Sequence, residues 1–243
     1  MRDFQKQYKV MAKKKTISQK DPNLEVVENV LSRTEQWIED NQKLLTIIIA
    51  SIIIAAGGYI GYVKLYVAPL EREAKSQMFS AEKYFQQDSF RLALNGDGNF
   101  PGFLEIIDEY GVTESANLAH YYAGVSFMHT GDFVSAIEYL SDYKIKEEVI
   151  GPISIGLIGD AYQELGEQDK AVDFYLKSAN HNENSFSTPI YLFKAGTILE
   201  IMGDFENALI QYERIKKEYN GSSEARDIEK YIARVTIKIK DAS

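Results

Sequence analysis

His120, His129 and His181 are the three histidines of the chain, and none stands in an H-E-x-x-H or comparable metal-ligand spacing. His120 and His129 lie nine residues apart on one helical segment and read as surface or groove histidines. Cysteine is absent, which removes disulfides, thiolate metal sites and thiol nucleophiles together. No G-x-S-x-G elbow and no G-x-x-x-x-G-K-[ST] phosphate loop occurs. The loop Asn95–Asn99, "NGDGN", invites comparison with a calcium or phosphate loop. It lacks the alternating acidic ligands and distal Glu of the first and the glycine spacing of the second, so it reads as a turn, with partner contact as the alternative. Acidic pairs such as Glu147/Glu148 read as solvated charge. No catalytic residue, metal site or cofactor site is assigned, and an enzyme with an unrecognised site is kept only as the rival class.

With chemistry this sparse, the elements themselves carry the information. Leu44 to Val63, "LLTIIIASIIIAAGGYIGYV", is twenty residues without a charge. At about 1.5 Å per residue such a helix spans the roughly 30 Å hydrocarbon core of a bilayer. Its seven Ile, two Leu and one Val favour insertion, by about 3 to 6 kcal/mol on a per-residue insertion scale. Forty-three residues precede it, too many for a cleaved signal peptide, so a retained single span is expected. Gly57 and Gly61 form a G-x-x-x-G where a second helix could approach closely, either another membrane protein or a second copy in a homodimer.

The charge balance differs on the two sides of this span. Residues 1–43 hold nine Lys/Arg and seven Asp/Glu, and residues 64–243 hold 18 and 29. The basic tail, with "MAKKK" at Met11–Lys15, favours a cytoplasmic N-terminus and an exported C-terminal domain. That pentapeptide also reads as a natural start, which would make Met1–Val10 an upstream extension. Leu24, Val27, Leu31 and Ile38 fall near one helical face, giving an amphipathic stalk, with a docking helix for a partner as the alternative, and Trp37 at the interface. An outer domain of net −11 repels phosphate backbones, so nucleic acid is not an expected partner.

Beyond the span a pattern recurs. "FMHTGDFVSAIEYL", "AYQELGEQDKAVDFYL" and "ILEIMGDFENALIQYERI" each place Ala five residues after Gly: Gly131/Ala136, Gly166/Ala171 and Gly203/Ala208. Seven residues before each break stands a second glycine, Gly124, Gly159 or Gly196, so the units recur at spacings of 35 and 37. Each reads as helix, tight break, helix, with the helical Gly and the Ala where the two helices touch. Phe127, Tyr162 and Leu199, and Leu140, Tyr175 and Tyr212, should fill the space between neighbouring pairs.

These units resemble the tetratricopeptide repeat family, over roughly Asn117–Asn220, though without the family's first-helix Trp or repeat-ending Pro. The span and the resemblance together imply an all-α chain: a single N-terminal transmembrane helix followed by a TPR-like α-solenoid. The expected organisation is a cytoplasmic tail with an amphipathic helix (1–43), the span (44–63), a linker helix with a degenerate first helix pair (64–116), three repeats (117–221) and a capping helix (222–243) begun by Ser222 or Ser223. First helices of such arrays form a concave protein-binding groove. Here it should include Tyr121, Val125, Met128, Asp160, Gln163, Phe193, Thr197 and Glu200. Some family members clamp a peptide's terminal carboxylate with Lys, Arg and Asn; those positions are not basic as a set here, so that ligand is not carried over.

The layout also resembles the YfgM-type family of ancillary Sec translocon subunits. That likeness implies a single-pass protein of the bacterial inner membrane with a periplasmic repeat domain, acting as scaffold or holdase. Its partners would be the Sec translocon and exported clients, besides the bilayer. An assembly factor for another envelope complex, in secretion or outer-membrane biogenesis, is the alternative.

Overall fold

The computed structural model describes residues 35–145 and 150–242. The stalk positions Leu24, Val27 and Leu31, the "MAKKK" segment and Glu147/Glu148 lie outside the described residues. The chain divides into two units at Tyr62/Val63.

In the first unit a helical turn over 35–40 precedes α1 (Gln42–Tyr62). No residue of α1 is buried, and Ile54 and Ile53 are 75% and 65% exposed. Its two aliphatic hydroxyls are satisfied within the helix: Thr46 Oγ1 donates to Gln42 O at 2.7 Å and Ser51 Oγ to Ile47 O at 2.8 Å. A helix in lipid must pair its polar groups in this way. The helix long and apolar enough to cross a membrane is longer than the uncharged stretch Leu44–Val63 and internal to the chain rather than N-terminal: it runs Gln42–Gln86. Charge resumes at Lys64, inside it.

The second unit opens with a π turn (Val63–Val67) that runs on into α2 (Ala68–Gln86), and Pro69, which has no N–H to donate, stands two residues after that turn. Then follow α3 (Phe90–Asn95), α4 (Phe103–Glu109), α5 (Glu114–Thr130), α6 (Phe133–Asp142), α7 (Ile150–Glu164), α8 (Gln168–Asn180), α9 (Ser187–Met202), α10 (Phe205–Glu218) and α11 (Ile228–Ala242). No strand occurs among the described residues. Each helix packs chiefly on its neighbours in sequence.

The segment 64–116, expected as a linker helix and a degenerate pair, holds the π turn, α2, α3 and α4. In it α2, α3 and α4 enclose Met78, Leu94, Phe103 and Ile106 and share that core with Ala116, Ala119 and Ala123 of α5. The turn Asn95–Asn99 is organised by Asp97, whose Oδ1 accepts from the backbone of Asn99 and Phe100 and whose Oδ2 accepts from Tyr84 OH. That carboxylate is spent on the fold.

The break in each repeat has one physical form. Gly131, Gly166 and Gly203 adopt φ of 81°, 76° and 84°, a left-handed conformation that favours glycine. The N–H after each glycine donates back to Phe127, Tyr162 and Leu199 O, at 3.0, 2.9 and 2.9 Å, closing the first helix of the pair. The next residue then starts the second helix: Asp132 Oδ1 accepts from Ser135 N, and Asp204 Oδ1 from Asn207 N. The Gly-Asp dipeptide thus ends one helix and begins the next.

The packing inside a pair corrects one expectation. Leu140, Tyr175 and Tyr212 sit within their own pair, on the helical glycine, rather than only between pairs. A Cβ on Gly124, Gly159 or Gly196 would stand 2.5, 2.7 or 2.6 Å from Leu140, Tyr175 or Tyr212. The two tyrosines then reach onward, Tyr175 stacking on Tyr191 of α9 and Tyr212 packing on Tyr231 of α11. The capping helix begins at Ile228, later than Ser222; Ser222 Oγ instead accepts from Ala225 N in the preceding turn.

Candidate functional site

First helices of three successive pairs meet around a cavity of about 520 Å³. From α5 comes Met128; from α7 come Asp160, Gln163 and Glu164; from α9 come Phe193, Lys194, Thr197, Ile198 and Ile201. Helical spacing explains the sets: 160, 163 and 164 share a face, as do 193, 194, 197, 198 and 201. Five of the residues expected in the groove, Met128, Asp160, Gln163, Phe193 and Thr197, line this one cavity.

The other three do not. Tyr121 packs its ring on Tyr143 at 5.7 Å and on Tyr122 at 5.8 Å. Val125 is half-buried one turn before Met128. Glu200 is held by Arg234 of the capping helix, Nε to Oε1 at 2.6 Å and a second nitrogen to Oε2 at 2.7 Å. That two-pronged geometry makes it a tie between repeat and cap. Gly57 and Gly61, the expected membrane contact, have no atom within 4 Å of where a Cβ would stand.

At the cavity wall Lys194 Nζ donates to both oxygens of Asp160, at 2.6 and 2.8 Å. The same ammonium lies over the rings of Tyr175 and Tyr191, at 5.5 and 5.7 Å. Tyr175 OH lies 2.7 Å from both Asp160 Oδ1 and Gln163 Oε1. Burial, with the Asp160 hydrogen bond and charge, pushes the Tyr175 phenol far up. Burial and the charge of Asp160 do the same to Tyr191. Tyr212 is pushed up to about 12 by burial first, with Glu200 adding. All three phenols therefore stay protonated at neutral pH, where they pack and hydrogen-bond. Among the described residues no group of three or more His, Asp or Glu could hold a metal ion.

The histidines are accounted for locally. His120 Nδ1 lies 2.9 Å from Ala116 O, His129 stacks on Phe90 with centroids 4.2 Å apart, and His181 borders Gly151.

Sequence reasoning missed Lys194, Glu164, Ile198 and Ile201. Lys194 had a legible signal: Asp160 and Lys194 are 34 residues apart, as are Glu200 and Arg234, and Asn180 and Arg214. Opposite or complementary polar groups at one repeat length bind neighbouring repeats. The two carboxylates expected to be free in the groove are therefore both engaged by cations of the next unit.

The tetratricopeptide repeat family model matches residues 154–184, which run from α7 into the turn after α8. No curated protein matches the chain in sequence. Among solved structures, a kinesin light chain protein from Podosopora anserina with nearly identical TPR-like repeats is similar at TM-score 0.51 and 15% identity, covering 70% of this chain and 88% of that one. The MamA protein is similar at TM-score 0.50 and 15% identity, covering 69% and 92%. At such identities the likeness concerns the fold. Together with the three capped pairs, these findings make the chain an all-α protein that carries a tetratricopeptide repeat within a TPR-like solenoid.

Proposed function

We propose that this chain is a membrane-anchored, periplasmic scaffold or holdase that uses the groove across α5, α7 and α9 to hold segments of other proteins close to an export machine such as the Sec translocon, in the manner of the YfgM-type family. The TPR fold serves protein–protein interaction and is typically not enzymatic, which is the part carried by the repeats themselves. The anchor rests on α1, in which no residue is buried and no charge follows Lys43. Orientation in a bacterial inner membrane rests on the basic tail before it.

The observation that carries the binding reading is the cavity shared by three first helices, with Met128, Phe193, Ile198 and Ile201 presenting apolar surface to it. A cavity of this size lies in the range of roughly 300–1,000 Å³ typical of binding pockets. A photo-crosslinking residue at Thr197 in the full chain, illuminated in intact cells, should capture translocon subunits or translocating clients. The same residue at Ile210, exposed on α10, should not. Capture confined to subunits of a secretion or outer-membrane assembly complex would move the protein to that role. A reporter fused after Ser243 that is active only in the cytoplasm would overturn the orientation.

A further inference from the structure

Resting on the groove reading above, we propose that the preferred occupant is a protein segment carrying an apolar side chain next to Lys or Arg, and that Glu164 is the residue that selects the charge. The argument is one of which charges remain free. Lys194, the cation of the cavity, is chelated by both Asp160 oxygens and seated on two tyrosine rings, so an incoming carboxylate would have to displace its partner. Asp160 is likewise spent, accepting from Lys194 at both oxygens with the Tyr175 hydroxyl beside it. Glu164 lies on the same cavity, is exposed, and forms no ion pair among the described residues. Across from it Ile201, 64% exposed, supplies apolar surface that water covers poorly.

A segment satisfying both features places its apolar side chain against Ile201 and Met128 and its ammonium or guanidinium near Glu164. An acidic neighbour would meet uncompensated negative charge in a domain already at a net of −11 over residues 64–243. Because Glu164 is at the rim, the contribution is to selectivity and is sensitive to salt.

The test uses the full chain in detergent and three labelled peptides that share an apolar core and differ in flanks of Lys, Ser or Glu, with binding read by fluorescence anisotropy. The Lys-flanked peptide should bind roughly three- to fivefold tighter than the Ser-flanked one at low salt, with the Glu-flanked peptide weakest. That order should flatten in about 0.5 M salt, and the substitution Glu164→Lys should reverse it. The paired change Met128→Ser with Ile201→Ser should weaken all three peptides alike, with helicity checked by circular dichroism. Equal binding of the three peptides, or an order unaltered by Glu164→Lys, overturns the charge inference while sensitivity to the Met128/Ile201 pair leaves the groove reading standing. Binding indifferent to that pair as well removes the groove from the function altogether.

Discussion

The glycines of α1 and those of the repeat helices are the same residue put to opposite uses. Around Gly57, Gly58 and Gly61 a Cβ would meet nothing within 4 Å. In the repeats it would strike the side chain that the glycine exists to seat, and at Gly156 it would run into the ring of Tyr191. A small residue in α1 leaves an open surface. In a repeat it is a socket already filled from within the chain. The lesson is that glycine periodicity alone does not distinguish an open face from an occupied one; the partner residue, here a Leu or Tyr at a fixed distance downstream, does.

The strongest way to break this comparison is to fill the sockets. Gly159→Leu or Gly196→Leu drives a branched side chain into Tyr175 or Tyr212, both fully buried and unable to swing aside. Overpacking of this kind costs about 1–3 kcal/mol or more. For a chain of this size that corresponds to a fall in Tm of roughly 2–4 °C per kcal/mol. Gly57→Leu should leave the melting curve of the detergent-solubilised chain within about 1 °C of the parent, because an isolated surface change contributes little. Comparable shifts from α1 and from the repeats would refute the difference in packing.

A second prediction concerns the join between α2 and the first repeat. Glu71 of α2 accepts from Ser115 N at 3.2 Å and Ser115 Oγ at 2.9 Å, so it satisfies the open N-terminus of α5. Burial works against its charge, but the Ser115 hydrogen bonds and Lys75 outweigh that and hold its carboxyl below the ordinary value of 4.5. A lowered folded-state pKa gives stability that is complete above the unfolded value and is lost as pH falls through the folded one. Glu71→Gln should therefore cost about 1 kcal/mol near neutrality. The gap between parent and variant in urea midpoint should hold steady down to about pH 4.5 and narrow below it. A gap that widens on acidification would mean the carboxyl is not stabilised as its contacts require.

The repeats were legible in the sequence because each break is written twice, once in the Gly that must adopt positive φ and once in the Asp that caps the next helix. The cavity was legible in part. Met128, Asp160, Gln163, Phe193 and Thr197 follow from helical register alone. Tyr121 lies outside the cavity, packed on Tyr143 at the end of α6, and no local period reports that contact. The pairing of Glu200 was not legible because its cation, Arg234, stands in a capping helix outside the repeat alignment. The bounds of α3 were hard to read for a related reason: it is six residues long, too short to show a period.

The smallest effect is also the most local test of the repeat comparison. The three residues after the break glycines share one backbone, with φ/ψ of −92°/76° at Asp132, −88°/71° at Glu167 and −85°/71° at Asp204. Only the two aspartates cap their helices; Glu167, one methylene longer, makes no side-chain cap and pairs with Lys170 on the surface instead. An exposed pair of that kind contributes between nothing and about 1 kcal/mol, so Glu167→Ala should shift stability by less than about 0.5 kcal/mol. Glu167→Asp should do the opposite of a typical mutation. With the backbone already in place, the shorter carboxylate reaches the Lys170 N–H as Asp132 reaches that of Ser135, and stability should rise by about 0.5–1 kcal/mol. Urea titrations of the parent and both variants decide it. A loss on Glu167→Asp would show that the middle repeat depends on its surface pair with Lys170 and that the three breaks are alike in backbone only.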